Sequence, residues 1–276
     1  MKRIIFVMRK RICIKDRICL VRRMKKENVK VSFSNAAKMA VSDCMDPEAL
    51  VCTDDQVLQA LMRKEGGDAI VVIRSENDMD GCDATYFLMD PANAEFTYYD
   101  RVYRRMHDIP WEILMTERLI IRETVESDVD SFVKIYAEPG MTDYTDPLYD
   151  ADSEKKYIRE YRDKVYAVQG FGIWTVILKE TGEIIGRAGL TSRAGFNGVE
   201  VGFVIGRKWQ NRGLATEAVK AVTEFGMKEL RFNPVYALVS EGNAPSEKVL
   251  CKCGFTFKHK TVAEGKEYQL FTYVDY

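Results

Sequence analysis

Gln210-Asn211-Arg212-Gly213-Leu214-Ala215 follows an apolar run, Val199 to Ile205, and opens an amphipathic segment that ends near Leu230. A strand, a turn built on small residues and a helix start gather several backbone N–H groups at one point. The first turn of a helix has N–H groups without intrahelical partners, and the helix dipole is positive there. Such a corner suits a phosphate or pyrophosphate. Gly213 and Ala215 allow a ligand close to the backbone, where a larger side chain would hold it off. Two other phosphate patterns do not fit. A Walker sequence counted from Gly206 meets Asn211 where a glycine is required, and no Gly-x-Gly-x-x-Gly occurs in the chain.

The flanking sequence extends the pattern. Leu214, Ala218, Val222, Phe225 and Leu230 recur near a helical period, with Glu217, Lys220, Glu224 and Lys228 on the other side. Pro234 to Ser240 reads as a strand. Asn243 is a good helix N-cap, Pro245 is tolerated in the first turn, and Gly254 ends that helix. Strands are predicted at 118–122, 173–178, 184–190, 199–205, 235–240 and 267–274, and helices near 127–137, 152–167, 213–230 and 244–252. This mixture predicts an α+β fold with a mixed sheet.

Gln-x-x-Gly-x-Ala at 210–215 resembles the acyl-CoA pyrophosphate loop of the GNAT N-acetyltransferase superfamily. Its surroundings resemble the RimJ/RimL-type members. Thr116 to Glu123 looks like the first strand, Gly186 to Leu190 the third and Val199 to Ile205 the fourth. Asn243, Ser246 and Gly254-Phe255 look like the later helix and its exit. The resemblance covers about 116–276 and implies a GNAT-type mixed β-sheet flanked by helices, with acetyl-CoA as co-substrate. It implies contacts to the acyl donor from Val201, Phe203 and Val204 on the strand. Gln210, Asn211, Arg212, Gly213, Leu214, Ala215 and Thr216 would surround the pyrophosphate. Asn243 and Ser246 would meet the cofactor arm. Arg207, Lys208 and Arg212 are further basic candidates beside the phosphates.

Acetyl transfer to an amine requires loss of a proton, since a free alkylamine has a pKa near ~10. Period-two alternation puts Glu200 on one face with Gly202 and Val204, an acid inside an apolar strand. The resemblance assigns Glu200 the role of base; a glutamate on a solvated face, or in an ion pair with a nearby Arg, is the competing reading. Many family members carry a proton-donating Tyr seven residues after the Asn, where this chain has Leu250. Ser246 is the available substitute, or a first-turn serine bonding its own helix. The acceptor, a protein N-terminal amine or a small amine, would meet the segment Glu138 to Tyr149, where Asp143, Tyr144 and Asp146 could attract a cation. Trp174 lines the same pocket or fills the core. A non-catalytic acyl-CoA-binding regulatory module is the alternative function, and a homodimer stays open.

The 276 residues suffice for one large domain or two smaller ones. No apolar run approaches the roughly 20 residues of a membrane span, and the expected location is the cytoplasm. The cysteines number 7 and are scattered, and with only 2 histidines no zinc site is expected. Residues 1–30 hold twelve Lys or Arg against two acids, while the rest carries 29 bases and 40 acids. Residues 1–30 are therefore expected to be a basic arm, either disordered or an extension upstream of a true start at Met24; nucleic-acid binding is the remaining reading. Residues 31–112 predict a small Rossmann-like α/β unit, and 113–276 the acetyltransferase domain. The small unit faintly resembles the later half of a haloacid-dehalogenase-type domain, with Asp54 and Asp55 at the strand end. The early Asp-x-Asp nucleophile is missing, so no phosphatase activity is expected.

Overall fold

Short apolar runs separated by polar helices build a parallel sheet in the first third of the chain. The structure is a computed structural model and describes residues 1–79 and 82–273. Contacts divide the chain into two compact units, Met1–Trp111 and Glu112–Tyr276.

In the first unit, β1 is Arg3–Met8, β2 Lys30–Asn35, β3 Ala49–Thr53, β4 Ile70–Val72 and β5 Phe87–Leu88. They pair in the order β2-β1-β3-β4-β5, every pair parallel. Helices α1 (Ile14–Lys26), α2 (Val41–Cys44), α3 (Gln56–Lys64) and α4 (Phe96–Met106) connect and follow them. A strand covered on both faces carries a continuous apolar run, and Ile4 to Met8 are all buried.

This overturns the expectation for residues 1–30. They are not an arm: β1 lies between β2 and β3, and Leu20 and Met24 of α1 are fully buried. Several of the positive charges have local partners, with Arg3 2.6 Å from Asp46 and Arg9 2.7 Å from Asp55. Arg17 lies 4.3 Å from the centre of the Phe33 ring. The α/β unit thus includes residues 1–30 as well as the expected 31–112 region up to Trp111.

In the second unit, the chain runs β6 (Glu112–Met115), β7 (Leu119–Arg122), α5 (Val129–Tyr136), α6 (Ala151–Tyr161), α7 (Ala167–Gln169), β8 (Ile173–Leu178), β9 (Ile184–Thr191) and β10 (Val199–Ile205). It continues with α8 (Leu214–Lys228), β11 (Val235–Ser240), α9 (Ala244–Lys252), β12 (Phe255–Ala263) and β13 (Lys266–Tyr273). Position 274 of the expected last strand lies outside the described residues. The sheet order is β12-β13-β11-β10-β9-β8-β7-β6. Its pairs are antiparallel except β10 with β11, which makes the mixed sheet the sequence predicts.

One face of this sheet is sealed by α8. Ala218, Val219 and Val222 are fully buried, and Trp174 meets Phe225 edge-on at 5.7 Å. Trp174 therefore belongs to the core and not to the acceptor pocket. Two strands of this sheet were not foreseen. β6 precedes the recognisable first strand, and β12 exposes most of its residues as a sheet edge.

Candidate active site

The split in the second sheet comes from where β10 and β11 touch. They pair only at Val199–Val235 and Glu200–Tyr236, whereas β10 pairs with β9 at six positions. Gly198 permits that contact: its φ is +83°, and a Cβ there would lie 1.9 Å from the Pro234 carbonyl oxygen. Beyond Glu200, β10 has no strand partner on the β11 side among the described residues. The edge from Val201 toward Ile205 is therefore open to an extended chain that carries amides, as an added strand would be.

At the end of that edge the chain turns into α8. Gln210 folds back, its side-chain amide donating to the Ile205 carbonyl at 2.9 Å. Asn211 has φ +61°, and Gly213 is the N-cap of α8 with φ +77°. A glycine cap has no side chain to satisfy the first N–H groups, so those of Leu214, Ala215 and Thr216 point out of the helix uncapped. The turn and the helix start that the sequence predicts are both present.

Arg118 holds this corner from behind. Its guanidinium donates to the Arg212 carbonyl at 3.0 Å and to Glu217 at 2.6 Å. Thr116 donates to the same carboxylate at 2.5 Å. Burial pushes the Glu217 carboxyl up, but Thr116 and Arg118 outweigh it and leave the group below the ordinary carboxylate range. Glu217 thus ties α8 to the start of β7, and is not the solvated-face residue suggested by its helical position. The other basic candidates are engaged: Arg207 donates to the Pro139 carbonyl at 2.6 Å, and Lys208 pairs with Glu183 at 2.8 Å.

A cleft of about 1470 Å3 runs along the open edge. Val201, Phe203, Val204, Gln210, Asn211, Gly213 to Thr216, Asn243 and Ser246 line it together with Glu200; Arg212 is exposed and is not among the lining residues. Asn243 caps α9, its side-chain oxygen accepting from the Ser246 N–H at 3.3 Å. The Ser246 hydroxyl belongs to a half-buried residue of the first turn.

Glu200 is 2.7 Å from Arg193, which also reaches Glu264 at 2.7 Å. Glu200 thus lines the cleft and forms the ion pair with an Arg that the sequence allows. Burial raises its pKa above the ordinary carboxylate value, and the Arg193 hydrogen bond and charge only partly offset this. Arg193 was not singled out beforehand; it sits in a turn, and only the folded chain brings it to the strand.

The acceptor-side segment is fastened across the cleft. Tyr144 donates to the Gly242 carbonyl at 3.0 Å, and Asp146 is 3.4 Å from Lys266. Two of the three residues proposed to attract a cation thus make contacts within the chain, and Asp143 lines the cleft. Tyr157, Tyr161 and Tyr166 also line the cleft, with successive ring centres 5.7 and 5.1 Å apart. The Tyr161 hydroxyl accepts the Ile173 N–H at 2.9 Å, and the Tyr166 hydroxyl donates to the Ile173 carbonyl.

Comparison with known proteins matches this geometry to a family. The model of the acetyltransferase (GNAT) domain matches residues 118–256. An uncharacterised N-acetyltransferase, p20, of Bacillus licheniformis is 32% identical over 147 residues, 52% of this chain and 82% of the relative. The crystal structure of an acetyltransferase from Agrobacterium tumefaciens superposes with TM-score 0.51 at 25% identity, covering 60% of this chain and 96% of that one. RimL, a ribosomal alpha-N-protein acetyltransferase solved in complex with coenzyme A, shares the fold at TM-score 0.51 and 12% identity over 59% of this chain and 98% of its own. A family match spanning half the chain, on a sheet split beside an uncapped helix start, leads to one assignment: the chain belongs to the acetyltransferase (GNAT) family, whose members use acetyl-CoA.

Proposed function

We propose that the second unit transfers the acetyl group of acetyl-CoA to a primary amine by direct attack while both substrates are bound, with Glu200 as the base. The observation that carries this reading is Glu200 itself, a half-buried carboxylate lining the cleft where β10 leaves β11. Acetyl-CoA, when bound, supplies the thioester that the amine attacks. The residues fit it: the unpaired β10 edge offers amide partners to a pantetheine-like chain, and the uncapped start of α8 suits its diphosphate. Val201, Phe203, Val204, Asn243 and Ser246 would lie along the arm, and Gln210 to Thr216 around the phosphates. The nitrogen–acetyl bond forms as the carbon–sulfur bond breaks. One amine proton passes to Glu200, directly or through water, and Ser246 or water returns a proton to the departing sulfur.

Three tests follow. Incubation with acetyl-CoA and an amine panel of N-terminal peptides and small amines should release free thiol with at least one acceptor. Acetyl-CoA binding with no thiol release across the panel would favour the non-catalytic module. The second concerns pH. Glu200 accepts a proton only when ionised, so its raised pKa places the acidic limb of kcat/KM above the ordinary carboxylate range. Arg193→Gln removes the cation that favours ionisation, and the limb should move to higher pH. A limb that stays in place assigns it to another group. The third is Arg118→Ala, which frees the Arg212 carbonyl and should weaken acetyl-CoA binding about tenfold by calorimetry; unchanged affinity would make the Arg118 contact incidental.

For residues 1–111 we favour a structural or partner-docking role on a haloacid-dehalogenase-like sheet. Asp54 accepts the backbone N–H groups of Arg9 and Lys10 at 2.5 and 3.0 Å, and Asp55 caps α3 while pairing with Arg9. Both carboxylates are thus engaged within the unit, which supports structure over catalysis at that strand end.

A further inference from the structure

Helix α1 turns two unlike faces to its surroundings. Leu20 and Met24 point into the first unit and are fully buried. Ile14, Ile18 and Val21 point outward and are 75%, 45% and 42% exposed. Their spacing aligns them in one stripe along the helix. Aliphatic residues exposed singly are ordinary on a protein surface, whereas a contiguous set marks a contact.

The stripe is set among cations. The helical period places Lys15 and Arg22 along one side of it, Arg17 along the other and Lys25 one turn beyond Val21. All four are exposed, as is Lys26. Arg17 lies over the Phe33 ring. The sole acid of the helix, Asp16, is half-buried and lies off this face. The outward face of α1 is therefore apolar and positive, in a chain whose residues after 30 carry 40 acids against 29 bases. Its charge complements an anionic partner.

The mixture of residues decides which anionic partner fits. The core of a protein–protein interface is depleted of charged residues, and a dry partner seated on this stripe would bury Arg22 and Lys25 with it. A nucleic acid would use the cations and leave the aliphatic residues idle, and α1 carries no aromatic side chain on which a base could stack. The surface of a bilayer accepts both kinds. Aliphatic side chains enter the acyl boundary, while long Lys and Arg stems carry their charges back to the headgroups. Among the described residues no helix is long and apolar enough to cross a membrane, so such a contact is peripheral.

We propose that α1 is a peripheral contact to an anionic lipid bilayer, with Ile14, Ile18 and Val21 inserted and Lys15, Arg22, Lys25 and Lys26 among the headgroup anions. The first unit thereby recruits the whole chain to a membrane surface.

The test is flotation of the full chain with vesicles of phosphatidylcholine and phosphatidylserine in equal parts, against vesicles of phosphatidylcholine alone, at low and at physiological salt. Two triple variants separate the contributions and leave Leu20 and Met24 in place. Lys15→Gln/Arg22→Gln/Lys25→Gln removes charge. Ile14→Ala/Ile18→Ala/Val21→Ala removes the stripe with a residue that favours helix. The melting temperature reports whether each is folded. The wild type should partition to the mixed vesicles at least about tenfold more than to phosphatidylcholine alone, and salt should weaken it. The charge variant should lose about a hundredfold in partition, and the aliphatic variant about tenfold. If a triple variant does not fold, Lys25→Gln or Ile18→Ala alone should each lose about fivefold. No partition to the mixed vesicles at low salt, equal partition to both kinds of vesicle, or unchanged partition in either folded variant would overturn the proposal. So would a dimer that the aliphatic variant dissociates, or binding to a DNA duplex that only the charge variant loses, where either occurs without vesicle binding.

Discussion

Glu200→Gln is expected to lower turnover about 10²–10⁴-fold while acetyl-CoA binding survives, the scale of losing a general base. Glutamine keeps the size of the side chain, and its carbonyl oxygen can still accept from Arg193. Arg193 also retains Glu264 as a charge partner, so the substitution does not strand a cation beside the cleft. The loss should appear in kcat, measured by thiol release at saturating acetyl-CoA. Unchanged turnover would remove Glu200 from the mechanism and leave its ion pair with Arg193 as its only role.

Deleting residues 1–23 should abolish the fold of the first unit. The deletion removes β1, to which β2 and β3 are both bonded. Ile4, Ile5, Phe6, Val7 and Met8 are each at most 4% exposed. Burial of a large apolar side chain contributes about 1.5–3 kcal/mol, so losing five approaches or exceeds the whole stability of a typical domain, about 5–15 kcal/mol. Hydrogen exchange should find the amides of β3 and β4 protected in the full chain and unprotected in the truncated one. Protection that survives the deletion would mean that the remaining strands pair without β1, restoring the reading of these residues as an accessory arm.

The different fates of the two ends of the chain follow from how each encodes its fold. Around 199–254, strand alternation, glycine at a helix start, an N-cap and a helical apolar stripe lie close together, and each is a local signal. The positions of β10, α8, β11 and α9 were therefore legible, as was the gathering of N–H groups at Gly213. Ile4 to Val7 is an equally apolar run, but Lys2, Arg3, Arg9, Lys10 and Arg11 surround it. In a parallel sheet such flanks find partners far along the chain, as Arg3 does at Asp46, and their charge hid the strand. β12 was missed because an edge strand shows most of its residues to solvent and carries lysines, as exposed edges do. The Arg193–Glu200 and Arg118–Arg212 contacts were invisible for another reason: each joins a turn or strand start to a separate element, with no periodic trace.

The central claim is that this chain binds acetyl-CoA on the loop between β10 and α8, and thermal stabilisation by acetyl-CoA tests it most directly. The wild type should gain about 2.7 kcal/mol at a free ligand concentration of 100 times Kd. Gly213→Glu places a carboxylate beside the uncapped N–H groups of α8 and should remove that gain; the melting temperature without ligand reports the separate effect of a side chain at φ +77°. A folded wild type that acetyl-CoA does not stabilise, or an equal gain in the variant, would contradict the account.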